Sequence, residues 1–299
     1  MLDLRPVRAF LDSEHEAWAC TAAKFASAEL ARRPEPVDDD AGRIEARDVL
    51  SAMGAAGLLD PIGTLDLRAC CLAREAIAAA SPLADAVWAL QGLGITPLLL
   101  AGSDRLREQW APGALAGEIM SAFAMTEPDA GSDVASMKTR AVRDGDDYVL
   151  DGHKWLISNA GIADYYVVFA STDPEAGSRG ISAFLVPAET EGLTFAGAQV
   201  MSAPHPLGEL QLTGCRVSAT NRIGEEGRGF MLGMATLDQL RPTVGAAACG
   251  MAQRAIDEAL AHAMGREQFG KPLSDFQIIQ DKLGQPLPQA RPTFEPQAL

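Results

Sequence analysis

Little in this sequence suits a metal, a disulfide framework or a membrane. Its five cysteines (Cys20, Cys70, Cys71, Cys215 and Cys249) include no C-x-x-C spacing. The adjacent pair Cys70 and Cys71 fits neither a zinc site nor an ordinary disulfide. Free thiols packed as small hydrophobes are expected, which agrees with a reducing, cytoplasmic compartment, and no metal site is expected. The N-terminal stretch MLDLRPVRAFLDSEHEAW alternates charged and apolar residues and lacks an apolar h-region. The longest apolar run, Gly92 to Gly102, contains Pro97 and is shorter than the ~20 residues that span a bilayer. Secretion and membrane insertion are therefore not expected. Positive charge is also in deficit, with 25 Lys and Arg against 40 Asp and Glu for a net charge of −15. Such a field repels nucleic acid phosphates and anionic headgroups, so neither is expected as a partner. There is no G-x-G-x-x-G after a strand, no Walker loop and no G-x-S-x-G elbow. The three glycines of Gly224 to Phe230 (GEEGRGF) lack that spacing and read as a linker into a helix.

What is present is an ordinary globular composition, 47% hydrophobic and 22% charged over 299 residues. That length suggests about two domains able to bury ~75% of the unfolded surface. Three regimes of periodicity follow one another. From Pro6 to Leu115 apolar residues recur at helical spacing, with loops marked by Pro34 to Gly42 and by Ser81-Pro82, and Ser103-Asp104 placed to cap a helix carrying Leu106 and Trp110. From Ser121 to Ile223 alternating runs such as YYVVFAS and ISAFLVP, punctuated by Gly and Asp, read as antiparallel strands. From Gly229 the helical pattern returns, with Leu237, Leu240, Val244, Ala248, Met251, Ala255 and Ala259 on one stripe, Pro242 interrupting the ladder and Gly265 as a stop. A shorter helix is expected over Ser274 to Leu283. The last sixteen residues hold four prolines and no apolar stripe, so an extended or disordered tail is expected. The fold class is thus α+β: an N-terminal helical domain (1–117), a middle antiparallel β-barrel or sandwich (118–226), an incomplete C-terminal helical bundle (227–284) and a Pro-rich tail (285–299).

The segment from Phe123 to Ser136, FAMTEPDAGSDVAS, carries the chemistry. An apolar strand end runs into Thr126-Glu127-Pro128 and then Ala130-Gly131-Ser132. Small residues let backbone approach a ligand, and free N–H groups and hydroxyls can face an anionic or electron-rich ring. On the residues alone, a strand-to-loop transition with capping hydroxyls is the somewhat better explanation of the pattern.

The stretch AMTEPDAGSDVAS resembles the signature of the acyl-CoA dehydrogenases. Asp151 to Gly161 (DGHKWLISNAG) resembles that family's second flavin segment, and Leu240 to Gln277 its long helix and flavin-dinucleotide segment. The three occur in the family's order and spacing, and the likeness covers most of residues 5–283. It implies an FAD cofactor, with Phe123, Met125 and Thr126 at the isoalloxazine and Gly131 and Ser132 reaching phosphates or the acyl-CoA chain. Ser158 matches the hydroxyl residue near flavin N5, whose hydrogen bond tunes the cofactor. Leu156 stands where the family often has Trp, with Trp155 beside it; Trp155 also reads as a buried strand aromatic. Arg266, Gln268, Phe269 and Gln277 match residues that reach the adenine–pyrophosphate half of an FAD held mainly by a neighbouring subunit, which implies at least a dimer. Arg is suited to pyrophosphate by its forked donors, and a helix-end cation is the plainer reading of Arg266. Asp238 and Arg241 fall where the family's helix passes coenzyme A; an i, i+3 bridge between them is the alternative.

The implied reaction is α,β-dehydrogenation of an acyl-CoA thioester, with electrons passed on to an electron-transfer acceptor. It needs a carboxylate base in a desolvated site and donors for the developing enolate. Most members take a Glu from a helix downstream of the RxQFG segment. This chain turns proline-rich at Gly284 and resembles a C-terminally truncated member. Other members carry the Glu just before the Arg matched by Arg241, where this chain has Leu240. Glu127 and Asp129 belong to the signature and are expected to be structural, and His205 reads as a loop residue, so the base is unassigned. Two functions follow: an acyl-CoA dehydrogenase acting as a homo-oligomer, or a non-catalytic truncated homologue or structural subunit of a heteromeric dehydrogenase. With part of the bundle missing, the stripe from Leu237 to Ala259 is expected to be partly exposed and to seek a partner.

Overall fold

The computed structural model describes residues 2, 4–5, 7–203 and 205–285. The predicted Pro-rich tail, Gln285 apart, lies outside them. Among the described residues six α-helices come first: α1 (Ser13–Phe25), α2 (Asp39–Ala55), α3 (Asp60–Gly63), α4 (Leu67–Ala80), α5 (Pro82–Ala101) and α6 (Asp104–Leu115). Their starts are set by local chemistry. The Asp12 carboxylate accepts from the His15 N–H at 3.3 Å, Asp38 from Ala41 at 2.8 Å and Ser103 from Leu106 at 3.4 Å, each satisfying an amide that the helix cannot. Ser81-Pro82 breaks α4 from α5 as its residues demand. Helix α5 is long and apolar enough to cross a membrane by composition, but most of it is buried inside the protein, including Val87, Trp88, Ile95 and Leu98.

The middle region is one eight-stranded sheet: β1 (Ser121–Ala124), β2 (Arg140–Asp144), β3 (Asp147–Ser158), β4 (Tyr165–Ser171), β5 (Ile181–Pro187), β6 (Leu193–Ala198), β7 (Leu207–Ser218) and β8 (Arg222–Ile223). Its order is β6-β7-β3-β2-β4-β5-β8 with β1 beside β4, and the path does not close into a barrel. Two pairings depart from the antiparallel expectation: β1 runs parallel to β4 from Ser121/Tyr165 to Ala124/Val168, and β2 meets β4 in parallel at Arg140/Ser171. The β2–β3 hairpin lies between β1 and β4 in sequence and gives the chain the long connection that parallel pairing needs. All of β4 is buried, so YYVVFAS is not the one-face-exposed alternating strand expected: both of its faces are covered.

Helix α7 (Gly229–Gly265) follows, then a short hairpin, β9 (Glu267–Gln268) with β10 (Lys271–Pro272), and α8 (Gln277–Gly284). The hairpin was not legible in the sequence; its turn sits at Phe269 and Gly270, both at positive φ (53° and 76°), as a tight two-residue turn requires. The α+β class holds, with helices, sheet and helices in that order.

The chain forms two compact units. One comprises residues up to Arg33, Leu67–Asp85 and the chain from Arg241 onward. Here the Trp18 indole donates to the Ala69 carbonyl at 3.0 Å, and Arg74 pairs with Asp85 (2.8 and 2.7 Å) while reaching the Thr243 hydroxyl at 2.9 Å. Gly250 lies so near the Glu75 carbonyl that a Cβ would fall 2.1 Å from its oxygen. That approach decides which face of α7 turns inward. Beyond Pro242 the buried residues are Thr243, Ala246, Ala247, Gly250, Ile256 and Ala263, whereas Val244, Ala248, Met251, Ala255 and Ala259 of the expected stripe are exposed. At Gly250 only a residue without a side chain admits the neighbouring backbone. The other unit comprises Pro34–Asp66 and Ala86–Leu240. Its core includes Leu98, Leu106, Met125, Tyr165, Phe169, Leu185 and Leu232.

Candidate functional site

The loop after β1 is fixed by one buried ion pair. Glu127 accepts from the Lys138 and Thr139 amides (2.6 and 3.0 Å) and from Lys154 Nζ (2.8 Å). Its backbone exchanges two hydrogen bonds with Ala130 (3.1 and 3.2 Å), closing a tight turn. Lys154 is fully buried on β3 and donates also to the Met125 carbonyl at 3.2 Å. Burial raises the Glu127 carboxyl, but the Lys154 charge and the N–H donors outweigh it and hold the group below the usual range. Burial pushes Lys154 down to about 8, against the pull of Glu127. Glu127 is therefore committed to holding the loop, as expected of a structural carboxylate. Asp129 is exposed and pairs with Lys138 at 2.7 Å.

Strand β3 supplies the facing wall. The Trp155 amide donates to the Thr126 carbonyl at 2.9 Å, tying strand to loop. The β3–β7 register slips between Lys154 and Ile157. Within that bulge Leu156 sits at φ 55° with half its surface exposed. A non-glycine residue held in the left-handed region costs about 1–2 kcal/mol and marks a place where the chain shapes a surface. Trp155 is half-buried and packs edge-on against His153, with centroids 5.9 Å apart. Phe123 packs on Phe169 at 4.8 Å and Met125 is buried in the core. Thr126 is half-buried, and Gly131 and Ser132 are exposed with open space beside Gly131. The Thr126 and Ser132 hydroxyls and the Gly131 and Ser132 amides have no intramolecular partner among the described residues. Uncommitted donors on a loop tied through Trp155 to a strand with an exposed apolar bulge could hold a group that is aromatic at one end and anionic at the other, as a flavin nucleotide is.

Ser158 ends β3, half-buried, with its Oγ 2.8 Å from His205 Nε2. The sequence reading of His205 as a loop residue missed this contact. The signal lies in the strand register, since Ser158 pairs with Leu207, two residues beyond His205. Helix α2 holds the same corner. Arg43 donates to the carbonyls of Ala160 (2.6 Å) and Leu207 (2.7 Å) and to Asp39 (2.6 Å), while Asn159 Nδ2 donates to the Ser121 carbonyl at 2.9 Å.

The remaining predicted residues stand on or beyond α7. Asp238 and Arg241 are exposed, while Leu240 is buried. Arg266, Gln268 and Gln277 are exposed, and Phe269 is 94% exposed at the hairpin tip, 6.4 Å from Phe276.

Three family models match in succession: the acyl-CoA dehydrogenase N-terminal domain over residues 12–118, the middle domain over 122–215 and the C-terminal domain over 227–289. The chain belongs to the acyl-CoA dehydrogenase family, a class of oxidoreductases. It is 38% identical over 279 residues to the probable acyl-CoA dehydrogenase fadE25 of Mycobacterium leprae (strain TN), covering 90% of this chain and 71% of that one. Among solved structures it resembles butyryl-CoA dehydrogenase from Megasphaera elsdenii, with a TM-score of 0.85 and 29% identity over 94% of this chain and 76% of that one. It also resembles a glutaryl-CoA dehydrogenase from Mycobacterium smegmatis in complex with FADH2, with a TM-score of 0.85 and 28% identity over 97% and 75% of the two chains.

Proposed function

We propose that the chain binds FAD and takes part in the α,β-dehydrogenation of an acyl-CoA thioester. The observation that carries this is the cradle built by the Thr126–Ser132 turn and the β3 bulge at Leu156, joined through the Trp155–Thr126 hydrogen bond. Bound FAD supplies the hydride acceptor. The chain's own residues then divide the remaining work. Trp155 and Leu156 offer apolar surface to the ring, Phe123 and Met125 meet it through their backbone, and Thr126 and Ser158 offer hydroxyls to its polar edge. The Gly131 and Ser132 amides suit phosphate or thioester oxygens. Asp238 and Arg241 on α7 are assigned to coenzyme A. Arg266, Gln268, Phe269 and Gln277 are assigned to the dinucleotide of a neighbouring copy, so the working form is an oligomer. The relatives' names support an acyl-CoA substrate, and the five free cysteines suit a reducing, cytoplasmic setting.

A second reading is favoured by Leu240. It is buried and apolar where some family members carry the base, which suits a non-catalytic truncated homologue or a structural subunit of a heteromeric dehydrogenase. The absorbance spectrum of the purified chain with FAD tests the cofactor, and dye-linked turnover with mixed acyl-CoAs separates the two readings. Visible flavin bands with turnover support the enzyme, and bands without turnover support the subunit. Absence of bands after FAD addition overturns both.

A further inference from the structure

We infer that His205 is a positioning residue for Ser158, holding its hydroxyl in place and deciding whether the O–H points into the imidazole or out toward the cofactor face. The inference rests on the flavin reading above and adds to it a residue that the sequence motifs do not contain.

The corner that holds the pair is over-determined. Ser158 is fixed by its rung with Leu207, and the chain turns immediately afterwards at Asn159, whose φ is 63°. The Asn159 amide donates to the Pro206 carbonyl at 2.6 Å, which anchors the segment next to His205. Arg43 spans both strands of this corner through the Ala160 and Leu207 carbonyls. The 2.8 Å separation of Ser158 Oγ and His205 Nε2 is thus held by backbone on both sides.

Proton inventory gives the pair its consequence. A neutral imidazole carries one N–H. With the proton on Nδ1, Nε2 accepts from Ser158, and the hydroxyl cannot donate elsewhere. With the proton on Nε2, the ring donates to Oγ, and the serine O–H is released to donate elsewhere. A protonated ring always donates, so acidification fixes Ser158 as an outward donor. The charged groups facing His205 are Asp39 and Arg43 on α2. Burial lowers the imidazole below its ordinary value, Asp39 opposes this and Arg43 adds to it. One carboxylate oxygen of Asp39, Oδ1, is buried without a hydrogen-bond partner, while Oδ2 accepts from Arg43. Burial therefore favours the uncharged ring at neutral pH and displaces its protonation to lower pH than for a free imidazole.

The test is FAD affinity, read by quenching of flavin fluorescence, between pH 5 and pH 8. Wild-type affinity is expected to rise about 3- to 10-fold on acidification, the worth of one hydrogen bond. His205→Ala and Ser158→Ala should each abolish the step. His205→Gln, whose amide can donate to Oγ, should bind at about the acid-limit affinity with no step, and it carries the test if the alanine variant folds poorly. In the FAD-free chain, the His205 ring titration followed by NMR should shift in Ser158→Ala. A step that survives in His205→Ala, or FAD binding without any step in the wild type, overturns the inference alone. Failure of the wild type to bind FAD overturns the cofactor reading and this inference with it.

Discussion

Two segments of this chain share a predicted ligand but are built in opposite ways. The loop from Phe123 to Ser132 is tied down from within: Glu127 is held by two amides and an ammonium, and Trp155 is bonded to Thr126. The hairpin from Arg266 to Gln277 is turned outward, its tip carrying a phenylalanine 94% exposed. Its ties are local, with Leu273 N–H to the Arg266 carbonyl at 2.8 Å and Lys271 4.3 Å above the Phe276 ring. A ring cradle has to be preorganised, because loop ordering would otherwise be charged against binding. An arm that serves a neighbouring copy needs only its own shape and an uncovered apolar tip. The contrast predicts that substitutions in the loop will be felt in stability and those in the hairpin only in assembly and ligand retention.

The largest effect is expected at Glu127. Glu127→Gln leaves the Lys154 ammonium buried without its counter-charge and should cost about 3–5 kcal/mol in urea denaturation. Replacing both members, as Glu127→Gln with Lys154→Met, should recover much of that loss, because the uncompensated charge is gone. The pH dependence follows from the direction of the shift. The folded carboxyl lies below its ordinary 4.5, so its stabilisation is complete above pH 4.5 and is lost as pH falls through the lowered folded value. The stability gap between wild type and Glu127→Gln should therefore narrow in that acid window. A gap that is constant down to full protonation would mean that the pair is not what holds the loop.

Arg43→Ala comes next. It strips partners from the Ala160 and Leu207 carbonyls and removes the cation beside Asp39, one of whose oxygens is buried. A loss of about 2–4 kcal/mol is expected. The effect should reach the site, because the same arginine closes the corner that holds Ser158 and His205. Weakened flavin binding together with lost stability would confirm that the corner acts as a unit. Full flavin affinity in a destabilised Arg43→Ala protein would show that the Ser158 corner is built independently of α2.

How much of this was legible in the sequence depends on whether the information was local. The cap at Ser103 and the break at Ser81-Pro82 are written in consecutive residues and are legible there, whereas Asp38, which reads as part of a loop running to Gly42, caps α2, and YYVVFAS, which reads as alternating, is buried throughout. The parallel pairing of β1 with β4 was not legible, because register between strands forty residues apart has no local signature. The same limit hid His205. It lies 47 positions from Ser158, and only the β3–β7 register brings them together. On α7 the apolar stripe beyond Pro242 is exposed at Val244, Ala248, Met251, Ala255 and Ala259, as expected of a stripe without its full bundle, but which residues would face inward was not legible. The deciding fact was the Glu75 backbone against Gly250, a contact that favours small residues and leaves the larger Val244 and Met251 outside.

Phe269→Ala should have the smallest effect on the chain itself, and for that reason it probes the hairpin most cleanly. The ring is almost fully exposed and touches little beyond Phe276. Surface truncations of this kind change stability by no more than about 0.5 kcal/mol. Relief of a bulky side chain at φ 53° is not expected to matter, since alanine keeps its Cβ in the same left-handed conformation. If the tip serves a neighbouring copy's dinucleotide, FAD retention and the oligomer fraction in sedimentation should fall while the urea midpoint stays where it was. A shifted midpoint with unchanged FAD retention would reverse the assignment: the hairpin would then be a folding element of its own unit, and the contrast with the Glu127 loop would be one of degree only.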